Sequence, residues 1–568
     1  MNTKYRKWLL LLGVVVILVF FLNTILSSLI SKVVHNQLDD INSKGNIALS
    51  VEKVQINIFS KSLRLKGVEI RPDSLYFEDF KQGKTDKTIA SHFYLSELKI
   101  KGFSLFKILI SKEISIESIL ASRIDLTLYK SYTDLKKPDN SELAAKNSFD
   151  SIYIKGIEQI NLSRIEFDDF NLHILHAQKE DTLFSYKGKE MDISGIALED
   201  YKEAKSFFRF NNDSLKIHFY NQNFDVEKGN YRIFFEDIVY DFPKKSINIL
   251  NFTLKPSMDK AALASTYPFN SEVYDVEVKN MGINGFYLDS VIRHGLVALD
   301  SIVVDGLNLS IYKDLTKPFN VKKRPKFLNQ KLKAIEHPLH IDLVKVRNAF
   351  FSYREKHESS KDLMAIDIAD MNADINYITT VKDSLQSGKN LSILVAGKLN
   401  KVADMKVNIY MDYNTWNDSY SFTGSLGSAK FKAFESALFP AAGIKFKGGV
   451  LNSMQFTVHG TPVEGTHGRM SMLYSNINAN LIKGNKEKKA ISWMAHSVSV
   501  SSNPSKNGKL RIGLIEAERV PYKGFGNLLW KSVLSGMINT INPLGKTVNN
   551  PKKVKKNNNN KKKKKKKK

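Results

Sequence analysis

Residues Ile114 to Lys130 read ISIESILASRIDLTLYK, and residues Val297 to Lys313 read VALDSIVVDGLNLSIYK. The two segments align without a gap at an offset of 183 residues, within a longer correspondence between 59–130 and 242–313. Repetition of this length indicates a modular array in which each unit buries apolar surface against its neighbours. The sequence therefore predicts a duplication, with a first β repeat at 47–229 and a second at 230–399.

The repeated text alternates apolar and polar residues. Ile124, Leu126 and Leu128 are each separated by one polar residue. Because successive side chains of a strand point to opposite faces, this period of two predicts strands with one apolar and one wet face. Short polar turns such as Lys66-Gly67 separate the runs, which favours meandering antiparallel strands. The predicted fold is mainly β, and its apolar face is either sealed by a second sheet or left as an open trough.

The amino-terminal segment has the composition of a membrane anchor. An unbroken apolar run covers 8–22 and continues with few polar residues to 30, whereas a bilayer-spanning helix needs about 20 residues. Lys4, Arg6 and Lys7 precede it, so the positive-inside tendency places 1–7 in the cytoplasm and the remaining chain across the membrane. A cleaved secretory signal is the alternative. The predicted anchor residues are Trp8, Leu12, Val16, Phe20, Ile25 and Ile30.

Helical spacing continues past the predicted anchor through 31–46, which predicts a juxtamembrane helix before the first strand. A glycine-richer β region is predicted at 400–523. It is followed at 524–545 by an amphipathic helix that either caps the β body or lies on a membrane surface or a partner.

Charge is concentrated at the carboxy terminus. The net charge is +27, and 551–568 contributes twelve lysines and no acid. We predict that 546–568 is a disordered polybasic tail, which either serves only as a solvated extension or binds anionic lipid or acidic polysaccharide. Nucleic acid is not an expected partner, because the predicted location is beyond the membrane.

No recognised catalytic signature occurs in the chain. It lacks cysteine, a P-loop, a nucleophile elbow, an H-E-x-x-H motif and a dinucleotide-binding glycine pattern. The closest histidine pairs, at 173/176, 337/340 and 459/467, have no carboxylate at a recognised metal spacing. The sequence therefore predicts no catalytic residue, no metal site and no cofactor, and indicates a protein that is not an enzyme.

The anchor, the segment VEKVQINIFSKSLRLKGVEI at 51–70 and the ladder that ends in IDLTLYK at 124–130 together resemble the AsmA-like family of bacterial envelope proteins. The resemblance rests on the order and style of the segments and covers nearly the whole chain. It implies an inner-membrane anchor and an elongated, curled antiparallel β-groove in the periplasm. The residues it implies as groove lining are Ile56, Ile58, Leu63, Leu65, Ile114, Ile116, Ile124, Leu126 and Leu128, with Val297, Leu299, Leu307, Leu309 and Ile311 in the second copy.

The function implied by the resemblance is phospholipid transport between inner and outer membrane, with membrane phospholipids and envelope or outer-membrane proteins as partners. A structural or assembly factor of the envelope is the alternative hypothesis, and an enzyme acting on envelope glycans is the third.

Overall fold

A computed structural model describes residues 47–57, 60–84, 89–103, 113–130, 159–179, 181–198, 215–227, 229–287, 290–291, 296–335, 337–358, 360–385, 388–481 and 500–548. The predicted anchor, its six named residues and the juxtamembrane helix lie outside these ranges. Among the described residues, no helix combines the length and apolar character that a bilayer crossing requires.

The chain is mainly β, and in its described part hydrogen bonding assigns 20 strands to one mixed sheet. Contacts divide it into unit 1, Met1–Ser257 with Glu277–Gly295, and unit 2, Met258–Val276 with Leu296–Lys568. Unit 1 contains helix α1 (Ser74–Lys81), and its strands are β1 (Ile47–Asn57), β2 (Ser62–Pro72), β3 (Ile89–Lys101), β4 (Glu113–Lys130), β5 (Gln159–His176), β6 (Thr182–Leu198), β7 (Lys216–Val226), β8 (Tyr231–Asp241) and β9 (Ser246–Pro256). Strand β10 (Glu272–Asn284) contributes residues to both units.

Unit 2 contains the remaining strands, which are β11 (Val297–Asp314), β12 (Leu339–Lys356), β13 (Met364–Thr379), β14 (Leu391–Leu399), β15 (Ala403–Met411), β16 (Tyr420–Leu426), β17 (Ala429–Lys430), β18 (Ile444–Thr461), β19 (Gly465–Leu481) and β20 (Ile512–Ala517). Its helices are α2 (Lys260–Thr266), α3 (Leu328–Lys333), α4 (Lys382–Leu385), α5 (Glu435–Ala442) and α6 (Phe525–Ile541), with a 3-10 turn at Phe431–Phe434.

The prediction of a purely antiparallel sheet was wrong at two places. Strand β4 runs parallel to β5, and β11 runs parallel to β12, whereas pairs such as β1–β2, β2–β3, β3–β4 and β5–β6 run antiparallel. A parallel pair needs a crossover connection of about a dozen residues or more. The connection 131–158 follows β4 and the connection 315–338 follows β11, so both are long enough. Alternation within a strand does not report the direction of its neighbour.

The two copies share local structure as well as text. The short helix after the second strand of each copy is capped by an aspartate: Asp73 accepts hydrogen bonds from the first turn of α1, and Asp259 does the same in α2. Gly102 and Gly285 both have positive φ, of 73° and 74°, at the ends of equivalent strands. Glycine adopts this left-handed conformation without a Cβ clash.

The fully packed core lies in unit 2. It gathers side chains from β13 to β20 and from the helices, including Phe422, Val458, Met470 and Leu528, all at most 1% exposed. Helix α6 begins at Phe525, within the predicted range 524–545, and one face of it lies on β19 and β20. The prediction of a disordered tail was wrong for its first residues, because Lys546 and Val548 exchange backbone hydrogen bonds with β20. Residues 549–568 lie outside the described ranges.

Candidate functional site

One face of unit 1 carries apolar side chains that line up across the strands. Residues directly opposite each other in neighbouring strands point to the same face. Following the register from β1 to β9 therefore identifies rows that run perpendicular to the strands. We call this set of rows the apolar track. Row A is Ile56, Leu63, Ile100, Ile119, Ile165, Ile193, Ile217, Tyr240 and Ile247, and row B is Val54, Leu65, Leu98, Ala121, Phe167, Met191, Phe219, Ile238 and Ile249.

Two further rows complete the apolar track. Row C joins Val51, Val68, Leu95, Ile124 and Phe170. Row D is Leu49, Ile70, Phe93, Leu126, Leu172, Tyr186, Phe224, Ile233 and Leu254, with the step from Tyr186 to Phe224 made by a ring contact of 5.6 Å. Neighbouring strands are about 4.8 Å apart, so nine strands give an arc of roughly 40 Å.

The apolar track is only partly withdrawn from solvent. All nine side chains of row D are half-buried, and the buried residues of row C, Leu95 and Ile124, are 4% and 3% exposed. The cluster around these two residues consists of other strand residues from the same face, such as Phe93 and Phe170. Contacts between lateral neighbours explain this intermediate burial, whereas a second layer would remove such side chains from water. In the described residues of unit 1, the sheet has one layer over this face.

Helix α1 covers the other face. It packs through Phe80 and Phe77 against Ala90 and Tyr129, which are opposite each other in β3 and β4. Tyr129 follows Leu128 directly in the strand, so the two side chains point to opposite faces. The helix described in unit 1 therefore leaves the apolar track uncovered.

The face opposite the apolar track is polar and paired. Arg64 contacts Glu97 at 2.6 Å, His92 contacts Glu69 at 2.9 Å, and Asn171 donates to Asp125 at 2.6 Å. These contacts are partly exposed, so each contributes little to stability. They mark this face as the hydrated one.

A line of backbone irregularities separates rows B and C. Gly67, Arg123, Asp169, Asn221 and Asn251 have positive φ, and each lies between a row B residue and a row C position of its own strand. The apolar residues on either side of each position are three apart instead of two, and the pairing register continues across this level without a shift. Neighbouring strands therefore share the irregularity, which keeps rows A to D on one face.

One polar position interrupts the apolar track. Gln222 is 3% exposed, accepts a hydrogen bond from the hydroxyl of Tyr186 and donates to the backbone oxygens of Glu190 and Tyr220. Its neighbour in the ladder is Gly188, where an added Cβ would lie 2.7 Å from the Gln222 side chain. Burial raises the pKa of Tyr186 to about 12, so the hydroxyl stays neutral at physiological pH. The interruption adds dipoles but no charge.

Unit 2 carries a comparable row that becomes sealed. It follows the register through Ile302, Val344, Ile375, Ile393, Ile409, Phe422, Val458, Gly468 and Ile515. Its first five residues are half-buried, whereas Phe422, Val458 and Ile515 are at most 1% exposed. Helix α6 closes this end, and its Gly536 approaches so near that an added Cβ would lie 2.9 Å from Ile515. Within the described residues, this row is therefore half-buried in its first strands and sealed by α6 at its end.

The structure places the predicted lining residues as follows. In the first copy, Ile56, Leu63, Leu65, Ile124 and Leu126 belong to the apolar track, and Leu128 is half-buried beside Ile174. Ile116 is opposite Leu162, the side chain of Ile114 is not among those described, and Ile58 lies outside the described residues. In the second copy, Leu299 is buried and lies opposite Ile341. Four other predicted residues are half-buried: Val297 opposite Leu339, Leu309 opposite Phe351, Ile311 opposite Tyr353, and Leu307.

Sequence reasoning missed most of the apolar track. It named lining residues in β1, β2, β4 and β11 but none in β3 or β5 to β9. It also took the alternation within β4 as uninterrupted, which omitted Ile119 and Ala121. The signal that identifies them is apolar spacing of three within a strand, as from Ala121 to Ile124 and from Phe167 to Phe170, because both strands of the pair carry it in register.

Comparison with known proteins adds no family assignment. No family model matches the sequence, and no curated protein matches it either. Within the described residues, no group of three or more histidine, aspartate or glutamate side chains is gathered at distances suited to a metal ion.

Proposed function

We propose that the protein is a membrane-anchored, AsmA-like lipid carrier of the bacterial envelope, in which the apolar track of unit 1 holds phospholipid acyl chains during transport between inner and outer membrane. The observation that carries the proposal is row D, whose nine residues are apolar, or aromatic in the case of Tyr186, and are all half-buried. A soluble sheet normally buries such a face.

The energetics favour hydrocarbon as the occupant. Each methylene that moves from water to an apolar surface contributes about 0.8 kcal/mol, so an acyl chain gains several kcal/mol from a few contacts. Each of the strands β1 to β5 contributes one residue to each of the four rows. An acyl chain therefore has many equivalent positions along the apolar track. The headgroup stays hydrated at the edge.

Two further features support the proposal. The positive-φ residues from Gly67 to Asn251 recur at one level of several strands and keep rows A to D on one face, so the apolar surface continues across that level. The predicted anchor at 8–30 precedes β1 by only 16 residues, which is consistent with a proposed position of the apolar track close to the membrane. The proposed location is the periplasmic side of the inner membrane, with the amino terminus in the cytoplasm.

Site-specific photo-cross-linking of the full-length chain in cells tests the proposal. A benzophenone side chain at Phe93 lies on row D, and the same group at the adjacent Tyr94 lies on the opposite face. We expect lipid adducts from position 93 and few from position 94, read by mass spectrometry of the purified protein. Equal labelling, or protein adducts alone at position 93, contradicts lipid conduction and favours an assembly factor.

A further inference from the structure

The register of β18 and β19 brings two histidines face to face. His459 is directly opposite His467, and their ring centroids are 6.1 Å apart with the planes tilted by 33°. Both side chains are exposed, and both alternate with core residues such as Val458, which is fully buried. The pair therefore lies on the solvent face of unit 2, away from the packed core.

We propose that His459 and His467 together bind a divalent transition-metal ion that prefers imidazole ligands, such as Cu²⁺ or Zn²⁺. Directly opposite residues of an antiparallel pair have Cβ atoms about 4.5 to 5.5 Å apart, and metal–imidazole bonds are about 2.0 to 2.1 Å long. Two rings that project from such positions can reach one ion between them. Imidazole nitrogen suits both ions, and copper binds such sites more tightly than zinc.

The neighbouring strand extends the site. Glu516 in β20 is directly opposite His467, so its carboxylate lies on the same face, next to the pair. The ammonium group of Lys546 contacts this carboxylate. Arg469 lies two residues after His467 in β19 and therefore on the same face. On the other side, Ser421 of β16 is opposite His459. The two histidines are the proposed protein ligands, and water completes the coordination.

The sequence shows this pair but gives no reason to expect a metal site, because its members are eight residues apart. Eight residues match no short metal-binding motif. The hairpin between Thr461 and Gly465 folds the chain back so that the two positions meet. The proposal is independent of lipid binding, since the pair lies in unit 2 and on the face opposite to the buried core.

Titration of the metal-free full-length chain with Cu²⁺ or Zn²⁺ alone tests the site, with electron paramagnetic resonance of the copper form as the structural readout. We expect one Cu²⁺ per chain, with splitting from two imidazole nitrogens. His459→Ala and His467→Ala should each weaken binding by more than the roughly 10- to 100-fold that loss of an outer-shell partner produces. His337→Ala removes an exposed histidine elsewhere and should leave the affinity unchanged.

Circular dichroism checks that the variants are folded, and His459→Gln and His467→Gln replace any alanine variant that is not. Absence of copper binding, or equal affinity in the wild type and both histidine variants, overturns the proposal. So does a spectrum that shows a single coordinated nitrogen in the wild-type chain. Loss of binding confined to these two positions supports it.

Discussion

Leu126→Asp places a carboxylate in the middle of row D. The leucine is half-buried between Phe93 of β3 and Leu172 of β5, so the change removes an apolar surface that both neighbours share. A charged aspartate at the centre of a hydrocarbon layer costs about 2.5 to 3.5 kcal/mol. Since 1.4 kcal/mol is a factor of ten, lipid occupancy at this level should fall roughly 100-fold.

The same substitution should leave the sheet folded. Full burial of a leucine contributes about 1.5 to 3 kcal/mol, and a half-buried side chain contributes about half of this. We therefore expect the free energy of unfolding to fall by about 0.8 to 1.5 kcal/mol, which is smaller than the stability of most domains. A packed sandwich core would instead lose more and could unfold.

Thr127→Asp is the matched control. Thr127 is the next residue of β4, on the opposite face, where His92 and His173 are its neighbours in the ladder. A carboxylate there meets imidazole groups and water. Lipids extracted from equal amounts of the purified full-length variants are quantified by mass spectrometry, and thermal unfolding is followed in parallel. Equal lipid content in both variants, or global unfolding of Leu126→Asp alone, would refute the argument that row D lines an open trough.

Three further predictions concern the stability of the fold. Gly306 has φ of 69°, and the equivalent residue of the first copy, Arg123, has φ of 53°. Gly306→Ala should therefore destabilise the fold by about 1 to 2 kcal/mol, whereas Arg123→Gly should not. Melting temperatures that fall equally in both variants would contradict this. Asp73→Ala removes the side-chain cap of α1 and should lower the free energy of unfolding, measured by chemical denaturation, by about 1 kcal/mol. An unchanged free energy of unfolding would show that the cap does not stabilise the fold. Burial opposes ionisation of Asp314, but hydrogen bonds from Thr316 and the nearby ammonium group of Lys356 together outweigh it and lower the pKa of the carboxyl. The ionised carboxylate therefore stabilises the fold above about pH 4, the ordinary range for aspartate, and this contribution to the free energy of unfolding is lost as the pH falls below it. Asp314→Asn should therefore make the melting temperature depend less on pH in the acid range. An unchanged pH dependence would show that another group dominates.

Much of the strand content followed from local pattern. The alternation around Leu126 identified β4, and the aligned text at 297–313 identified β11. The parallel neighbours of both strands could not be predicted in this way, since the direction of a partner depends on a connection and not on the strand itself. The irregular positions are an intermediate case: the spacing between Ala121 and Ile124 is visible in the sequence, but only the pairing shows that the neighbouring strand shares it at the same level.

The sequence by itself determined the duplication, the period of the strands and the amphipathic character of the carboxy-terminal helix, because each of these is a property of residues close together in the chain. Tertiary structure decided which apolar residues share a row, where the face is open in unit 1 and where α6 seals it in unit 2. It also decided that His459 meets His467. Register joins residues that are distant in sequence, and a shift of one residue would turn every side chain to the other face, so no local pattern can specify it alone.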